Sequence, residues 1–166
     1  MWIGTGEGLN SFDGNRIKPF YKQQHPELSE NSIGKILVDD ENKVWIRTSG
    51  HYLTALDEKR RFHKILIGDT TERSSVGSIF YTKKHGLIAL KGAAHYFQQG
   101  KTLLFEKKKL PFESKLSGAA GFAYFLENDK AVYYRGSRLV VINYNTLKLE
   151  LDYPFPGLTA ASNIND

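Results

Sequence analysis

Cysteine is absent from this sequence, so neither a disulfide framework nor a cysteine-ligated metal site can be built from it. The absence fits an oxidising compartment as well as the cytosol and does not locate the protein. No run approaches the roughly eighteen uninterrupted apolar residues of a membrane-spanning helix. The opening residues, Met1 to Gly4, also lack the basic-then-apolar order of a signal peptide. The sequence therefore predicts a soluble segment that makes no membrane contact itself.

Catalytic motifs are missing as well. There is no Gly-x-Ser-x-Gly, no phosphate-binding loop and no His-Glu-x-x-His. The cluster Gly4 to Gly8 has no following helix to hold phosphate and is typical of a hairpin turn, and Asp39-Asp40 belongs to another polar hairpin turn. We expect no catalytic residue, no metal site and no cofactor. The histidines are isolated, and most are expected to be exposed turn or edge residues: His25, His51, His63, His85 and His95.

Neither positive nor negative charge is concentrated in one continuous stretch of the sequence. The net charge is +5, from 23 Lys and Arg against 18 Asp and Glu. The basic residues occur in short clusters such as Lys59-Arg60-Arg61 and Lys107-Lys108-Lys109. A nucleic-acid surface requires a continuous basic stripe interleaved with aromatic residues, so we expect no nucleic-acid partner. Solvated strand edges explain the clusters more simply.

What the sequence does contain is an internal repeat. Trp2-Ile3-Gly4-Thr5 recurs as Trp45-Ile46-Arg47-Thr48 after 43 residues. Asn31-Ser32-Ile33-Gly34 returns as Ser74-Ser75-Val76-Gly77 after another 43. One apolar anchor position recurs along the chain in steps of 43 or 44 residues, at Ile33, Val76, Ala120 and Ile164.

Each repeat contains four short runs of apolar, β-branched and aromatic residues separated by turn residues, which predicts a four-stranded antiparallel meander. In the first complete unit the runs are Ile33–Val38, Val44–Thr48, Tyr52–Leu56 and Phe62–Ile67. In the second they are Val76–Tyr81, Leu87–Leu90, Ala94–Phe97 and Thr102–Phe105. In the third they are Gly121–Leu126, Ala131–Tyr134, Leu139–Ile142 and Leu147–Leu151.

A four-stranded unit of this length is the size of a β-propeller blade, so we predict an all-β fold of about four blades, part of a larger propeller. The expected divisions are 1–28, 31–70, 74–110 and 118–155, with the start of another blade at 162–166. The apolar run Ile33–Val38 is expected to be the crowded innermost strand. Trp45 should be buried between strands or blades, with Leu87 and Val132 in the equivalent positions.

Turns of a meander alternate between the two faces of a propeller. The turns that join second to third strands share a face with the connections between blades, and that face is rich in histidine, arginine and tyrosine. Such side chains suit a saccharide ligand, although solvated loops are the simpler explanation for any one of them. The opposite face would carry Asp40, Lys84 and Gln98. The candidate ligand-binding residues are His51, Tyr52, His95, Tyr96, Arg135 and Arg138.

The segments Trp2 to Gly14 and Asn31 to Thr48 resemble the two-component regulator propeller repeat. That resemblance implies a periplasmic sensor region of a hybrid two-component system of the kind found in gut Bacteroidetes. Such propellers sense oligosaccharides released from glycans and signal through the membrane to a kinase. The implied partners are the remaining blades of a parent chain and an oligosaccharide.

Two other functions stay open at this stage, because a fold does not fix a function. One is a protein-interaction scaffold without a small ligand, and the other is a propeller-fold polysaccharide lyase or hydrolase. The chain begins inside a repeat at Trp2 and ends where the next innermost strand should start. We therefore expect an open arc of blades that joins further propeller residues or pairs with a second copy as a homodimer.

Overall fold

Antiparallel β-sheet accounts for nearly all regular structure in the described part of the chain. The computed structural model describes residues 1–116, 123–126, 129–135 and 138–154. A single-turn helix, α1 (Glu113–Leu116), is the one exception there. The strands are β1 (Trp2–Gly4), β2 (Leu9–Phe12), β3 (Ile17–Phe20), β4 (Lys35–Val38), β5 (Val44–Arg47), β6 (Tyr52–Leu56), β7 (Phe62–Leu66), β8 (Val76–Thr82), β9 (Gly86–Lys91), β10 (Ala94–Gln98), β11 (Phe105–Lys108), β12 (Ala123–Leu126), β13 (Lys130–Arg135), β14 (Arg138–Asn143) and β15 (Lys148–Pro154).

Four separate sheets follow one another along the chain. The first sheet is β1-β2-β3, and the second, third and fourth are β4 to β7, β8 to β11 and β12 to β15. Every strand pairs antiparallel with its sequence neighbour within the sheet, so each sheet is a meander. The predicted all-β class and four-stranded unit are confirmed. Because Trp2 corresponds to Trp45 of β5, the three-stranded first sheet has no counterpart of β4 among the described residues.

The hairpin between β4 and β5 shows how local sequence fixes a turn. The Asp39 carboxylate accepts hydrogen bonds from the backbone N–H groups of Glu41 and Lys43, at 3.0 and 2.9 Å. Asn42 adopts a positive φ of 59°, which asparagine tolerates better than most residues. The predicted polar turn is therefore present.

Hydrophobic cores lie between neighbouring sheets rather than within any one of them. Leu9, Ile46 and Leu56 are buried between the first and second sheets. Trp45 and Ile79 belong to the core between the second and third. A third core joins the third and fourth sheets, and its members include Phe80, Phe97, Tyr133, Val140 and Ile142. Since each sheet is covered by its neighbours, burial depends on stacking, as in a propeller.

Trp45 is fully buried, as predicted, but its expected counterpart in the third sheet is wrong. Alternate residues of a strand point to opposite sides. Trp45 faces the third sheet, whereas Leu87 faces back toward the second sheet in the same core. Ile88 faces the fourth sheet and is the true equivalent. The predicted counterpart is one residue away from the true one, and a shift of one residue along a strand moves a side chain to the opposite face of the sheet.

The innermost strand is less crowded than its apolar sequence predicts. Ile36 and Leu37 of β4 are half-buried, and Val38 is 51% exposed. The middle strands are the most buried, with Val44, Trp45 and Ile46 all in the core. The edge position of β4 in its sheet explains the difference, because one side of that strand has no neighbouring strand.

The last strand of the third sheet is displaced from its predicted place at 102–105. β11 runs from Phe105 to Lys108, after a long turn at 99–104. Gly100 adopts a positive φ of 57°, and the Gln98 side chain donates to the Thr102 carbonyl oxygen at 2.7 Å. These interactions keep Thr102 in the turn rather than in the strand.

The repeating anchor has a physical basis in a backbone hydrogen bond between sheets. The Ile33 N–H donates to the Thr5 carbonyl oxygen at 2.9 Å, and the Val76 N–H donates to the Gly50 oxygen at 2.8 Å. Each bond ties the start of one unit to the second-to-third-strand turn of the unit before. The expected anchors at 120 and 164 lie outside the described residues.

The array of sheets has two sides, a connection face and a hairpin face. The connection face carries the links between sheets at 21–34 and 67–75 and the turns 5–8, 48–51 and 92–93. The hairpin face carries the remaining turns: 13–16, 39–43, 57–61, 83–85, 99–104 and 144–147.

Candidate functional site

His51 and Tyr52, two of the predicted ligand residues, lie at the connection face of the second sheet. The His51 carbonyl oxygen accepts a hydrogen bond from the Ile67 N–H at 2.9 Å. Its ring Nδ1 is buried without a hydrogen-bond partner among the described residues. The half-buried Tyr52 ring lies 4.4 Å from the Lys64 ammonium, which covers it. Both side chains keep part of their surface exposed.

His95 has no exposed surface, in contrast to the expectation that most histidines are exposed, and the other four are half-buried. Its Nδ1 lies 3.0 Å from the Ala93 carbonyl oxygen, and its Nε2 lies 2.7 Å from the Tyr144 hydroxyl. A carbonyl oxygen can only accept, so Nδ1 carries the proton and Nε2 accepts from Tyr144. Tyr144 in turn makes a short hydrogen bond with the Tyr133 hydroxyl. The network therefore runs from Tyr133 through Tyr144 to His95.

Burial fixes the protonation of this network. It lowers the pKa of His95 to about 4 and raises the pKa of Tyr133 and of Tyr144 above their ordinary value. All three groups are neutral at pH 7. They lie in the core between the third and fourth sheets, where a ligand at the surface would not touch the His95 ring.

Tyr96 lies at the other side of the third sheet, in a polar cluster with the half-buried Glu72 and the buried Lys91. The Tyr96 hydroxyl is 3.1 Å from Glu72 Oε1, and Lys91 Nζ is 3.3 Å from Glu72 Oε2. The Lys91 side chain has no exposed surface, and Nζ also donates to the Ile67 and Asp69 carbonyl oxygens. Burial alone would raise the pKa of Glu72, but its bonds to Lys91 and Tyr96 outweigh burial and lower it. Burial and Glu72 raise the pKa of Tyr96 to about 12.

The two predicted arginines lie at the end of the fourth sheet. Arg135 and Arg138 pair across β13 and β14. The exposed Arg138 guanidinium donates to Asp152 Oδ1 from Nε at 2.8 Å and from Nη2 at 2.6 Å. The six predicted residues are thus distributed over three sheets and the cores between them. Their assignment to a ligand site stays a prediction.

A cleft on the hairpin face brings together residues that the sequence analysis placed there without assigning them to a site. Its volume is about 460 Å³, and it lies between the turns of the second and third sheets. One wall comes from the turn 39–43, and the other from the turns 83–85 and 99–104. The lining residues are Asp39, Asp40, Glu41, Tyr81, Lys83, Lys84, His85, Gly86, Phe97, Gln98, Gly100, Lys101 and Lys108.

The acidic wall contains one structural carboxylate and two that face the cleft. Asp39 is buried and accepts the indole N–H of Trp45 at 2.8 Å, in addition to its two turn hydrogen bonds. Asp40 accepts a short hydrogen bond from the Tyr81 hydroxyl. Glu41 makes a close ion pair with Lys101 across the two sheets. Asp40 and Glu41 are therefore the carboxylates that a ligand could reach.

Lysines form the opposite wall. Lys84 Nζ donates to the Asn145 carbonyl oxygen at 2.8 Å, which links the third sheet to the fourth. Lys108 Nζ lies 4.9 Å from the centre of the Phe97 ring. Lys83 is exposed. The cleft thus has positive charge on one side and negative charge on the other.

Two ring systems in the cleft remain uncharged at neutral pH. Burial, and then the bond to Asp40, raise the pKa of Tyr81 to about 12. Burial, and then the charge of Lys84, lower the pKa of His85. The His85 Nε2 is buried and has no hydrogen-bond partner among the described residues.

The arrangement suits a polar ligand with several hydroxyl groups. Carboxylates accept from hydroxyls, lysines donate to them, and the half-buried Tyr81 ring offers flat apolar surface. Within the described ranges no three His, Asp or Glu side chains come together as a metal site would require. No described helix is long and apolar enough to span a membrane.

A regularity in the sequence could have pointed to this side of the molecule. Lys43 Nζ donates to the Lys101 carbonyl oxygen at 3.4 Å, and Lys84 Nζ donates to the Asn145 oxygen one unit later. Both lysines lie in first-to-second-strand turns, and both acceptors lie in third-to-fourth-strand turns of the following sheet. Lysines in the first-to-second-strand turns of successive units therefore mark contacts between units, although these two, 41 residues apart, are not at equivalent positions of the repeat.

Comparison with known proteins identifies the fold. No family model matches the chain, and no curated protein matches it in sequence. Among solved structures, virginiamycin B lyase from Staphylococcus aureus matches 94% of the chain with a TM-score of 0.69 at 10% identity. A streptogramin B lyase matches 91% with a TM-score of 0.65 at 18% identity. The extracellular domain assigned to a hybrid two-component system of B. thetaiotaomicron matches 95% with a TM-score of 0.64 at 21% identity.

These likenesses, together with the four stacked meanders, define the chain as a set of β-propeller blades. The chain spans about half of each lyase, 52% and 49%, and 23% of the sensor domain. It therefore corresponds to part of each of those longer propeller chains.

Proposed function

We propose that this chain is the ligand-sensing propeller segment of a membrane-bound hybrid two-component regulator. The observation that carries the proposal is its likeness, over 95% and 90% of its length, to extracellular domains assigned to two such systems in B. thetaiotaomicron. The resemblance of residues 2–14 and 31–48 to the sensor repeat supports it independently. In this proposal the segment lies in the periplasm, and any kinase belongs to other parts of the protein.

The ligand in this proposal is an oligosaccharide released from a glycan. The hairpin-face cleft supports it, because its volume of about 460 Å³ lies within the range of small-molecule sites. Asp40 and Lys83 provide an acceptor and a donor for sugar hydroxyls, and Tyr81 provides a ring for the apolar face of a sugar. A ligand held there would contact turns of two sheets at once and could alter how those sheets stack.

Calorimetric titration against a panel of glycan oligosaccharides tests the proposal. Asp40→Asn and Arg138→Gln each change one side chain at the surface, on the hairpin face and at the fourth sheet respectively. If the cleft is the site, Asp40→Asn should weaken binding by about tenfold, the effect of one charge-assisted hydrogen bond, and Arg138→Gln should not. The reverse result would transfer the site to the residues predicted from sequence. Absence of binding to every oligosaccharide would count against the sensor function.

A lyase is the second candidate, favoured by the TM-scores of 0.69 and 0.65 to two lyases. At 10% and 18% identity this likeness extends to the fold alone. The same titrations distinguish the two candidates, because an enzyme would release products from the oligosaccharide over time. A sensor would return it unchanged.

A further inference from the structure

Two positive side chains face each other across the innermost strands of the second sheet. Lys35 of β4 and Arg47 of β5 are direct cross-strand partners, and both are half-buried. Like charges directly opposite one another destabilise a sheet, and partial burial adds a desolvation cost. Burial, and then the charge of Arg47, lower the pKa of Lys35, and burial lowers the pKa of Arg47. Both groups therefore have an unfavourable environment for their charge.

Neither side chain finds a carboxylate in the described part of the molecule. The Lys35 ammonium lies 5.2 Å from the centre of the Phe80 ring, and Arg47 Nη1 lies 3.5 Å from the Val76 carbonyl oxygen. Both contacts reach across to β8 of the third sheet. No ion pair within the described ranges includes Lys35 or Arg47. Among the described residues, the bond from Arg47 Nη1 is the one side-chain hydrogen bond that this pair makes, so a ligand could accept from the other N–H groups.

The backbone is shaped around the guanidinium. A Cβ at Gly34 would lie 2.7 Å from Arg47 Cζ and closer still to Nη2. Gly34 does not have a positive φ, so its backbone does not require glycine. The glycine instead provides space for the Arg47 side chain beside β4.

The charged pair is not a general requirement of the repeat. Gly4 occupies the position of Arg47 in the first sheet. In the third sheet the equivalent cross-strand pair is Ser78 and Leu90, both buried. A sheet of this kind therefore folds without the two charges, and they are specific to the crevice between the second and third sheets.

We propose that Lys35 and Arg47 form an oxyanion-binding site at the inner edge of the crevice between the second and third sheets. Its ligand is a carboxylate, sulfate or phosphate group, held by the planar guanidinium fork and the ammonium. The site lies at the connection-face ends of β4 and β5 and is separate from the hairpin-face cleft. It does not depend on the proposed sensor function. The oxyanion arrives either as a free inorganic ion or as the acidic group of a saccharide.

In the test, the 166-residue chain is titrated with inorganic sulfate, inorganic phosphate, a uronic-acid disaccharide and a neutral disaccharide. Binding is measured by calorimetry and by the side-chain NMR signals of arginine and lysine. At least one oxyanion should bind and shift the Arg47 signal, whereas the neutral disaccharide should leave that signal unchanged. Arg47→Leu, which copies Leu90, should weaken oxyanion binding by about tenfold or more. Lys109→Gln, at an exposed position, is the control for loss of one positive charge and should bind normally.

Gly34→Ala gives a test that keeps the charge. The new methyl group should displace the flexible guanidinium at small cost to folding, and oxyanion affinity should fall while the melting temperature stays near that of the wild type. Arg47→Leu should melt no lower than the wild type without ligand, because it removes an unneutralised charge.

Binding of inorganic ions alone would assign a free-ion site, and tighter binding of the uronic-acid disaccharide would assign a saccharide site. Absence of oxyanion binding, or a neutral saccharide that binds in an Arg47-dependent way, would overturn the inference. If no oxyanion binds but a neutral saccharide binds independently of Arg47, the oxyanion site would be overturned and the proposed sensor function would stand.

Discussion

The indole of Trp45 has no exposed surface, and its N–H donates to the Asp39 carboxylate at 2.8 Å. The same carboxylate closes the turn 39–43, so one ring links a hairpin to the core between two sheets. The ring also meets Phe105 of the third sheet edge-on, with centroids 5.9 Å apart. Its apolar character follows from the repeat, but its hydrogen bond depends on a turn six residues away.

Trp45→Ala should lower the free energy of unfolding by about 3–5 kcal/mol, since it leaves a large cavity between two sheets. Trp45→Phe keeps a ring and loses the hydrogen bond, so it should cost less, about 1–2 kcal/mol. Urea denaturation measures both. An unchanged midpoint for Trp45→Ala would show that the crevice does not depend on this ring.

The buried His95 should make the stability of the folded protein depend on pH. Burial lowers its pKa to about 4 in the folded protein, below the ordinary value of 6.5. Between these values the unfolded chain binds a proton that the folded chain does not, so stability is full above pH 6.5 and falls as the pH drops toward 4. The loss attributable to His95 is at most about 3 kcal/mol. His95→Gln preserves an acceptor for Tyr144 without titrating, and it should remove that part of the loss.

Unfolding curves at pH 7, 5.5 and 4.5 measure this difference between the wild type and His95→Gln. The ring carbon NMR signals of His95 provide a direct check and should not change between pH 7 and 5.5. A ring that protonates near 6.5, or identical pH profiles for the two proteins, would contradict the assignment of a neutral buried imidazole.

At the scale of single elements, strand positions were predictable wherever a short apolar run is flanked by turn residues. β6 was predicted with its observed bounds, Tyr52–Leu56. β11 was not, because side-chain hydrogen bonds within the turn 99–104 extend that turn. The counterpart of Trp45 was wrong by one residue, because apolar residues occupy both faces of β9 and their alternation cannot show which face is which.

Gly68 allows the connection after the second sheet to pass close to Tyr96 of the third sheet. It follows β7, has a positive φ of 66°, and a Cβ there would lie 2.7 Å from Tyr96 Cζ. Gly68→Ala should cost about 1 kcal/mol for the backbone conformation and about 1–3 kcal/mol more for the contact. Gly100, with a positive φ of 57° and open space around it, is the matched control for the backbone part alone. Equal losses of unfolding free energy in Gly68→Ala and Gly100→Ala would show that the Tyr96 side chain can move away from the new methyl group without a loss of stability.

At the scale of the whole molecule, the repeat predicted the fold, and the site was the harder part. The sequence places residues on a face of the propeller, but it does not show which neighbouring sheet a side chain enters. His95 and Tyr96 are adjacent in sequence, but the His95 ring contacts Phe112 and Tyr144 of one core, and Tyr96 belongs to another. The cleft depends on contacts between units, which a comparison of equivalent positions does not reveal. The Lys35–Arg47 pair lies within one sheet, but its contacts with β8 of the next sheet are equally hidden from such a comparison.

On the face of the last sheet that points away from the third sheet, apolar side chains of β15 are partly exposed. Val132 and Val141 face away from the third sheet, at the positions of Trp45 and Ala55 in the second sheet, where both residues are fully buried. Leu151 and Tyr153 of β15 pair on the same side and are 41% and 51% exposed. An exposed patch of this kind is typical of a surface that another molecule or domain covers.

We therefore expect the isolated 166-residue chain to self-associate through this face. Its apparent mass in sedimentation velocity should rise with concentration, because pairing two such faces removes their apolar side chains from water. The double variant Leu151→Lys with Tyr153→Lys should remain monomeric, since the charges resist burial. Leu104→Lys is the control, because Leu104 is 64% exposed but lies at the rim beside β7 and β11, away from the fourth sheet. A wild-type chain that stays monomeric, or a double variant that associates as the wild type does, would show that the face of the fourth sheet is not an interface in the isolated chain.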